Sequence, residues 1–359
     1  MTILSGDDTV LSIRWNPRDE TITGMGSSLY ATIKDRNATI LPSPSRGPIP
    51  SMTADDYTAW KARMADPDFF RPLVAEVLQR ENLGSGTDVV SAIDTGSSGV
   101  YRLQNPPVII KFPPPSDPAA IDRESTALAA LESVPDVPTP QLLGRGRTEQ
   151  SRSHYLVISA LDGQPLTTIW DGMSAAEQRK LAAQLGNLAR RLHEAPTLDD
   201  SAHRRWQQFV NERIHVFTTG AEEHYLPDQL YRQARQFVLD NASLASATTP
   251  TFVHADLQGA HILVDNHRDT PQITGIIDFG DSIPADTVYD FLIPYIDAFE
   301  GNRTAWNAFI NGYGRPIPNL TDRWLLYAFL HRFPFLGAYG LKHWDISTLD
   351  DLRAAISTT

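Results

Sequence analysis

The segment Phe252-Val253-His254-Ala255-Asp256-Leu257-Gln258-Gly259-Ala260-His261-Ile262-Leu263-Val264-Asp265 constrains this chain more than any other stretch of it. Apolar anchors at its two ends, Phe252-Val253 and Ile262-Leu263-Val264, read as short buried strands that pin a polar loop between them. A loop held at both ends keeps its side chains in register, which is what a cluster of reactive groups requires. A second apolar run, Ile273-Thr274-Gly275-Ile276-Ile277, then delivers Asp278 at its end. A hairpin through these runs would bring Asp256 and Asp278 to one mouth.

Upstream the hydrophobic period changes along the chain. Two helical patterns fill Thr53 to Asn82, the second with Phe70, Leu73, Val74, Val77 and Leu78 on one face. Val89 to Lys111 reads as strand, Gly/Ser turn, strand, turn and strand, ending in Val108-Ile109-Ile110-Lys111-Phe112. Asp117-Pro118 reads as a helix opening, with Ile121, Glu124, Leu128 and Leu131 sharing the face that follows. Tyr155-Leu156-Val157-Ile158 reads as a last strand of this part. Beyond it the pattern is largely helical: Ser174 with Glu177 forms a capping box, and Leu181, Leu185, Leu188 and Leu192 make a buried stripe. A strand-rich part followed by a helix-rich part implies an α+β fold in two lobes. The boundaries expected are residues 1–52 as an extension and linker, 53–158 as the first lobe and 159–359 as the second.

Composition narrows the chemistry. None of the 359 residues is cysteine, so disulfides, zinc-thiolate sites and cysteine nucleophiles are excluded. The net charge of −12 disfavours a nucleic-acid partner and favours cationic ligands. The first ten residues are polar and acidic, unlike a signal peptide, and no apolar run is long enough to cross a bilayer, so a cytoplasmic protein without membrane contact is expected. No Gly-Lys-Ser/Thr phosphate loop and no Gly-x-Gly-x-x-Gly after a strand is present, which argues against a P-loop or dinucleotide-binding fold.

The polar residues match the parts list of phosphoryl transfer, which needs a base, a metal ligand set and a cation on the phosphates. Asp256 would orient and deprotonate an acceptor hydroxyl. Asp278 would bind Mg²⁺, with His261 as a second ligand. Lys111, inside an otherwise apolar strand, would reach nucleotide phosphates, and Glu124 on the inward helix face would pair with it, since either charge buried alone is costly. Asp281, with Asp286, Asp297, Glu300 and Trp344, could form an acidic wall for a cationic substrate, and Asp281 is the substrate contact expected from this group.

Taken in order, Gly96 to Lys111, Glu124, His254 to Asp265 and Gly275 to Asp290 resemble the aminoglycoside phosphotransferase family, a branch of the protein-kinase-like fold. The resemblance implies a first lobe with an antiparallel sheet and helices, and a mostly helical second lobe. It implies Asp256 as catalytic base, Asp278 as metal aspartate, Lys111 and Glu124 as the phosphate-positioning pair, Ser97 and Ser98 as the turn over the phosphates, and His254 and Asp290 as braces of the loop. It also implies ATP or GTP as co-substrate and a hydroxyl-rich antibiotic as acceptor, with resistance or self-protection as the role. Pro140 to Gly146, Tyr155 to Ser159 and Asp297 to Arg303 are most similar to hygromycin B phosphotransferases acting on the 7″ hydroxyl. Two residues depart from the family pattern. Ala255 stands where glycine is usual, a change of one methyl that should be tolerated. His261 replaces the usual asparagine and resembles macrolide phosphotransferases, leaving a macrolide or metabolite O-kinase, or a catalytically silent kinase-like binding module, as alternatives.

Overall fold

The computed structural model describes residues 2–4, 10–12 and 54–357, except 85–89, 94–97, 150, 197–200, 223, 247 and 267–269. Among the early residues, β1 (Thr2–Leu4) pairs antiparallel with β2 (Val10–Ser12). The expected role of residues 1–52 as a linker otherwise lies outside the described residues, as does Ser97.

From residue 54 the chain divides into two compact units, one taking the described residues up to Ala129 with Pro140–Leu161, the other Ala130–Thr139 with Asp162 onward. The first opens with α1 (Ala54–Ala65) and α2 (Pro67–Arg80), the latter started by Asp66, whose carboxylate accepts from the Asp68 amide at 3.0 Å. The strands β3 (Val90–Ile93), β4 (Gly99–Gln104), β5 (Pro107–Phe112), β6 (Leu142–Arg147) and β7 (His154–Ser159) form one antiparallel sheet in the order β3-β4-β5-β7-β6. The apolar stripe of α2, Phe70, Leu73, Val74, Val77 and Leu78, is buried in the same core as Tyr101, Ile110, Phe112 and Val157 of the sheet. Phe70 stacks on Tyr101 with ring centroids 4.5 Å apart.

The helix α3 (Ala120–Leu131) begins later than the Asp117-Pro118 signal suggests. Asp117 stands just before it: its carbonyl accepts from the Ala120 amide at 3.2 Å and its carboxylate forms a two-pronged pair with Arg123, at 2.6 and 3.1 Å.

The second unit holds β8 (Gln164–Pro165), α4 (Leu166–Ile169), α5 (Ala175–Leu192), α6 (Ala202–Thr219) and α7 (Asp228–Ser246). Then come β9 (Thr251–Val253), β10 (Ile262–Asp265), β11 (Gln272–Ile276) and β12 (Ile283–Ala285), and finally α8 (Arg303–Tyr313), α9 (Leu320–Leu330), α10 (Phe335–Ala338) and α11 (Leu349–Ile356). The Ser174/Glu177 capping box starts α5, and Leu181, Leu185, Leu188 and Leu192 are buried as the stripe implies. Two small antiparallel sheets, β11-β10-β8 and β12-β9, carry the polar loops. None of the described helices is long and apolar enough to cross a membrane.

Candidate active site

The loop after β9 is held by its backbone. Asp290, buried in a 3-10 turn over Thr287–Phe291, accepts from the amides of His254 at 2.7 Å and Ala255 at 2.6 Å. Two donors on one buried carboxylate fix the loop and satisfy amides that would otherwise be costly to bury. Asp290 is itself held by His193, whose Nε2–H donates to it at 3.0 Å while Nδ1 accepts from the Tyr313 hydroxyl at 3.0 Å. From the other side, Asp297 accepts from the Gly259 amide at 2.7 Å, and burial raises the pKa of this carboxyl.

His254 is fully buried and acts inside the loop. Its Nε2–H donates to the Ile277 carbonyl at 3.0 Å, so Nδ1 carries the lone pair and receives the Asp256 amide at 3.3 Å. Burial pushes this imidazole down to about 4, keeping it neutral. Ala255 sits at φ +64°, in the left-handed region. The glycine usual here is therefore a backbone matter: a methyl fits the space, and the cost lies in the dihedral.

This bracing presents Asp256, which is 1% exposed. Its Oδ2 accepts from the Gln258 Nε2 amide at 3.2 Å and lies 3.5 Å from His261 Nδ1, whereas Oδ1 has no hydrogen-bond partner among the described residues. Burial, opposed first by His261 and reinforced by Asp281 and Asp278, pushes the Asp256 carboxyl up to about 7.

Asp278 follows β11 at φ +67°, a turn that carries its carboxylate toward His261. His261 Nδ1–H donates to the Asp256 carbonyl at 2.9 Å, which leaves Nε2 facing Asp278 Oδ2 at 3.3 Å. One imidazole thus touches both acids. At that distance a protonated Nε2 donates to the carboxylate, and an unprotonated one can share a cation with it. The donor set fits a divalent cation that takes one carboxylate and completes its shell with phosphate oxygens and water, as Mg²⁺ does; an imidazole nitrogen is a weaker ligand for Mg²⁺ than for softer metals. No cluster of three or more His, Asp or Glu around a metal-sized site occurs among the described residues, so protein groups alone do not cage the ion.

In the first unit, Lys111 Nζ lies 2.7 Å from Glu124 Oε1, with side chains 12% and 6% exposed. Ser98 forms the bend entering β4 and is half-buried. Asp281 is 2% exposed, and Arg332 donates through Nη2 to its backbone carbonyl at 3.0 Å and lies 3.1 Å from Oδ1. Of the other acids read from the sequence beside it, Asp286 is fully buried against Arg323, Tyr327 and Thr248, Asp297 is half-buried and accepts from the Gly259 amide, and Glu300 is exposed.

Sequence reasoning missed Gln258, Arg332 and His193, and read Asp297 as a wall acid rather than as the acceptor of the Gly259 amide. Gln258 alone carried a usable signal, an amide two positions after the expected base in a loop otherwise anchored by apolar residues.

A family model described as the phosphotransferase enzyme family matches residues 89–327. Among solved structures, the GDP complex of aminoglycoside 2′-phosphotransferase-IIIa is 18% identical, with a TM-score of 0.55 over 79% of this chain and 95% of that one. The aminoglycoside phosphotransferase APH(3″)-Id from Streptomyces rimosus ATCC10970, in complex with ADP and streptomycin, is 21% identical, with a TM-score of 0.53 over 74% of this chain and 98% of that one. At these identities the likeness establishes the fold: mixed α and β, with antiparallel sheets and many helices, as in kinase-like aminoglycoside phosphotransferases.

Proposed function

This chain belongs to the phosphotransferase enzyme family, and from that premise we propose that it transfers the γ-phosphoryl group of ATP or GTP to a hydroxyl of an aminoglycoside-type antibiotic, giving resistance or self-protection. The observation that carries the reading is Asp256: a buried carboxylate with one oxygen held by Gln258 and the other unpartnered, on a loop locked by Asp290. In the reaction the acceptor oxygen bonds to the γ-phosphorus as the bridging phosphorus–oxygen bond breaks. The nucleoside diphosphate leaves with that electron pair, and the hydroxyl proton passes to Asp256 Oδ1. Positioning and charge stabilisation do most of the work in such transfers, so a rigid loop matters as much as basicity.

Asp278 and His261 would hold Mg²⁺, which when bound neutralises phosphate charge. Lys111, oriented by Glu124, would hold the nucleotide phosphates, with Ser97 and Ser98 as further phosphate contacts. Within the antibiotic class, the stretches Pro140 to Gly146, Tyr155 to Ser159 and Asp297 to Arg303 support the 7″ hydroxyl of hygromycin B as acceptor. His261 supports a second reading, a macrolide acceptor, because it stands where asparagine is usual.

Mass spectrometry across aminoglycosides and macrolides, with both nucleotides, tests this: a gain of one phosphate on at least one compound is expected, and none across the panel rejects the antibiotic reading. Asp256→Asn should lower turnover by about 10²-fold or more. Because the base must be ionised, wild-type kcat/KM should hold above about pH 7 and fall as pH drops through it. Unchanged turnover in the variant removes Asp256 as the base.

A further inference from the structure

Gln258 has no assigned part in the transfer, yet it is fully buried beside Asp256. Its Nε2 donates to Asp256 Oδ2 at 3.2 Å, which decides how the amide is turned: reversing it would set two acceptor oxygens against each other. The Oε1 atom consequently points away from that carboxylate oxygen and has no hydrogen-bond partner among the described residues. The nearest ring, that of His261, lies 3.4 and 3.5 Å from the Gln258 nitrogen through its two ring nitrogens, and its Nδ1 proton already goes to the Asp256 carbonyl. Two residues joined by one hydrogen bond therefore each keep a buried, unpartnered acceptor: Asp256 Oδ1 and Gln258 Oε1. An acceptor buried without a donor destabilises the unliganded site, and a bound group that brings the donor removes that cost.

We propose that Gln258 is a second substrate-binding residue, whose Oε1 accepts a hydrogen from the group adjacent to the reacting hydroxyl, so that the site selects a hydroxyl flanked by another donor: a vicinal diol or a β-amino alcohol. The proposal rests on the reading of Asp256 as the residue that meets the reacting hydroxyl. Asp256 Oδ1 takes the proton that is transferred, and Gln258 Oε1 takes a hydrogen that stays on the substrate. A lone alcohol would satisfy only one of the two acceptors, and such unpaired groups are the strongest source of discrimination available to a polar site.

Calorimetry with hygromycin B, streptomycin and kanamycin as probes, and with Mg-ATP and Mg-GTP as controls, tests this on the full chain. Gln258→Met keeps the shape and removes both the acceptor and the donor to Asp256; it should weaken binding of the probe that wild type holds by about 10-fold, with nucleotide affinity unchanged. Gln258→Asn keeps an amide with both a donor and an acceptor and should restore part of that binding. Equal probe affinity in wild type and Gln258→Met overturns the proposal, as does failure of wild type to bind any of the three. Parallel loss of probe, nucleotide and Tm assigns Gln258 to the fold alone and overturns it too. A wild-type chain that transfers no phosphate, yet loses probe affinity in Gln258→Met and regains part of it in Gln258→Asn, leaves this site standing and removes only the kinase reading.

Discussion

Ala255 shows how a residue can look conservative in sequence and be strained in space. Alanine for glycine adds one methyl, but at φ +64° the side chain itself makes the conformation unfavourable, by about 1–2 kcal/mol for an L-residue. Glycine would relieve this while gaining about 0.4–1 kcal/mol of unfolded-state entropy. Ala255→Gly should thus leave stability unchanged or raise it by up to about 1 kcal/mol in denaturant unfolding, where the same change in an ordinary helix or strand costs about 0.5–1 kcal/mol. A loss above about 1 kcal/mol would mean that packing of the buried methyl outweighs the dihedral. Legibility at this scale followed sequence distance. Asp256, His261 and Asp278 stood out because chemistry and anchoring apolar residues lie close together in the chain. Asp290, 35 positions from Ala255, was legible only through the family resemblance, while the contact of Asp297 with Gly259 across 38 positions and that of Arg332 with Asp281 across 51 left no signal in the spacing.

At the scale of elements, hydrophobic period was a reliable guide wherever one face is buried: the α2 stripe, the α5 leucines and the strands flanking the Asp256 loop all lie where the period implies. The regular part of α3 starts at Ala120, two residues past the Pro118 opening, with Asp117 paired to Arg123. Periodicity was also silent about which helices touch. Gly186 of α5 and Gly312 of α8 make close approach of those two helices possible. A Cβ on Gly186 would stand 2.0 Å from the Phe309 carbonyl oxygen, and one on Gly312 would stand 2.0 Å from that of Ala183. Alanine normally stabilises a helix over glycine by about 1 kcal/mol. Here the sign should reverse, with Gly186→Ala or Gly312→Ala each losing about 1–3 kcal/mol, because backbone on both sides cannot yield. A raised or unchanged Tm in either variant would show that the helices separate freely.

For the whole molecule, the account joins chemistry from two compact units. Lys111 and Glu124 belong to one, and Asp256, His261 and Asp278 to the other. The net charge of −12 suits a cationic acceptor and opposes a phosphorylated donor, so phosphate binding has to come from local cations rather than from the overall field. A nucleotide that binds the folded chain stabilises it. The most direct measurement is the rise in Tm on adding Mg-ATP or Mg-GTP to wild type, Lys111→Met and Asp278→Asn. Wild type should be stabilised by at least one of the two nucleotides, and each substitution should remove most of that rise. Full stabilisation in both variants, or none in wild type with either nucleotide, would contradict the proposed roles of Lys111 and Asp278 in nucleotide binding.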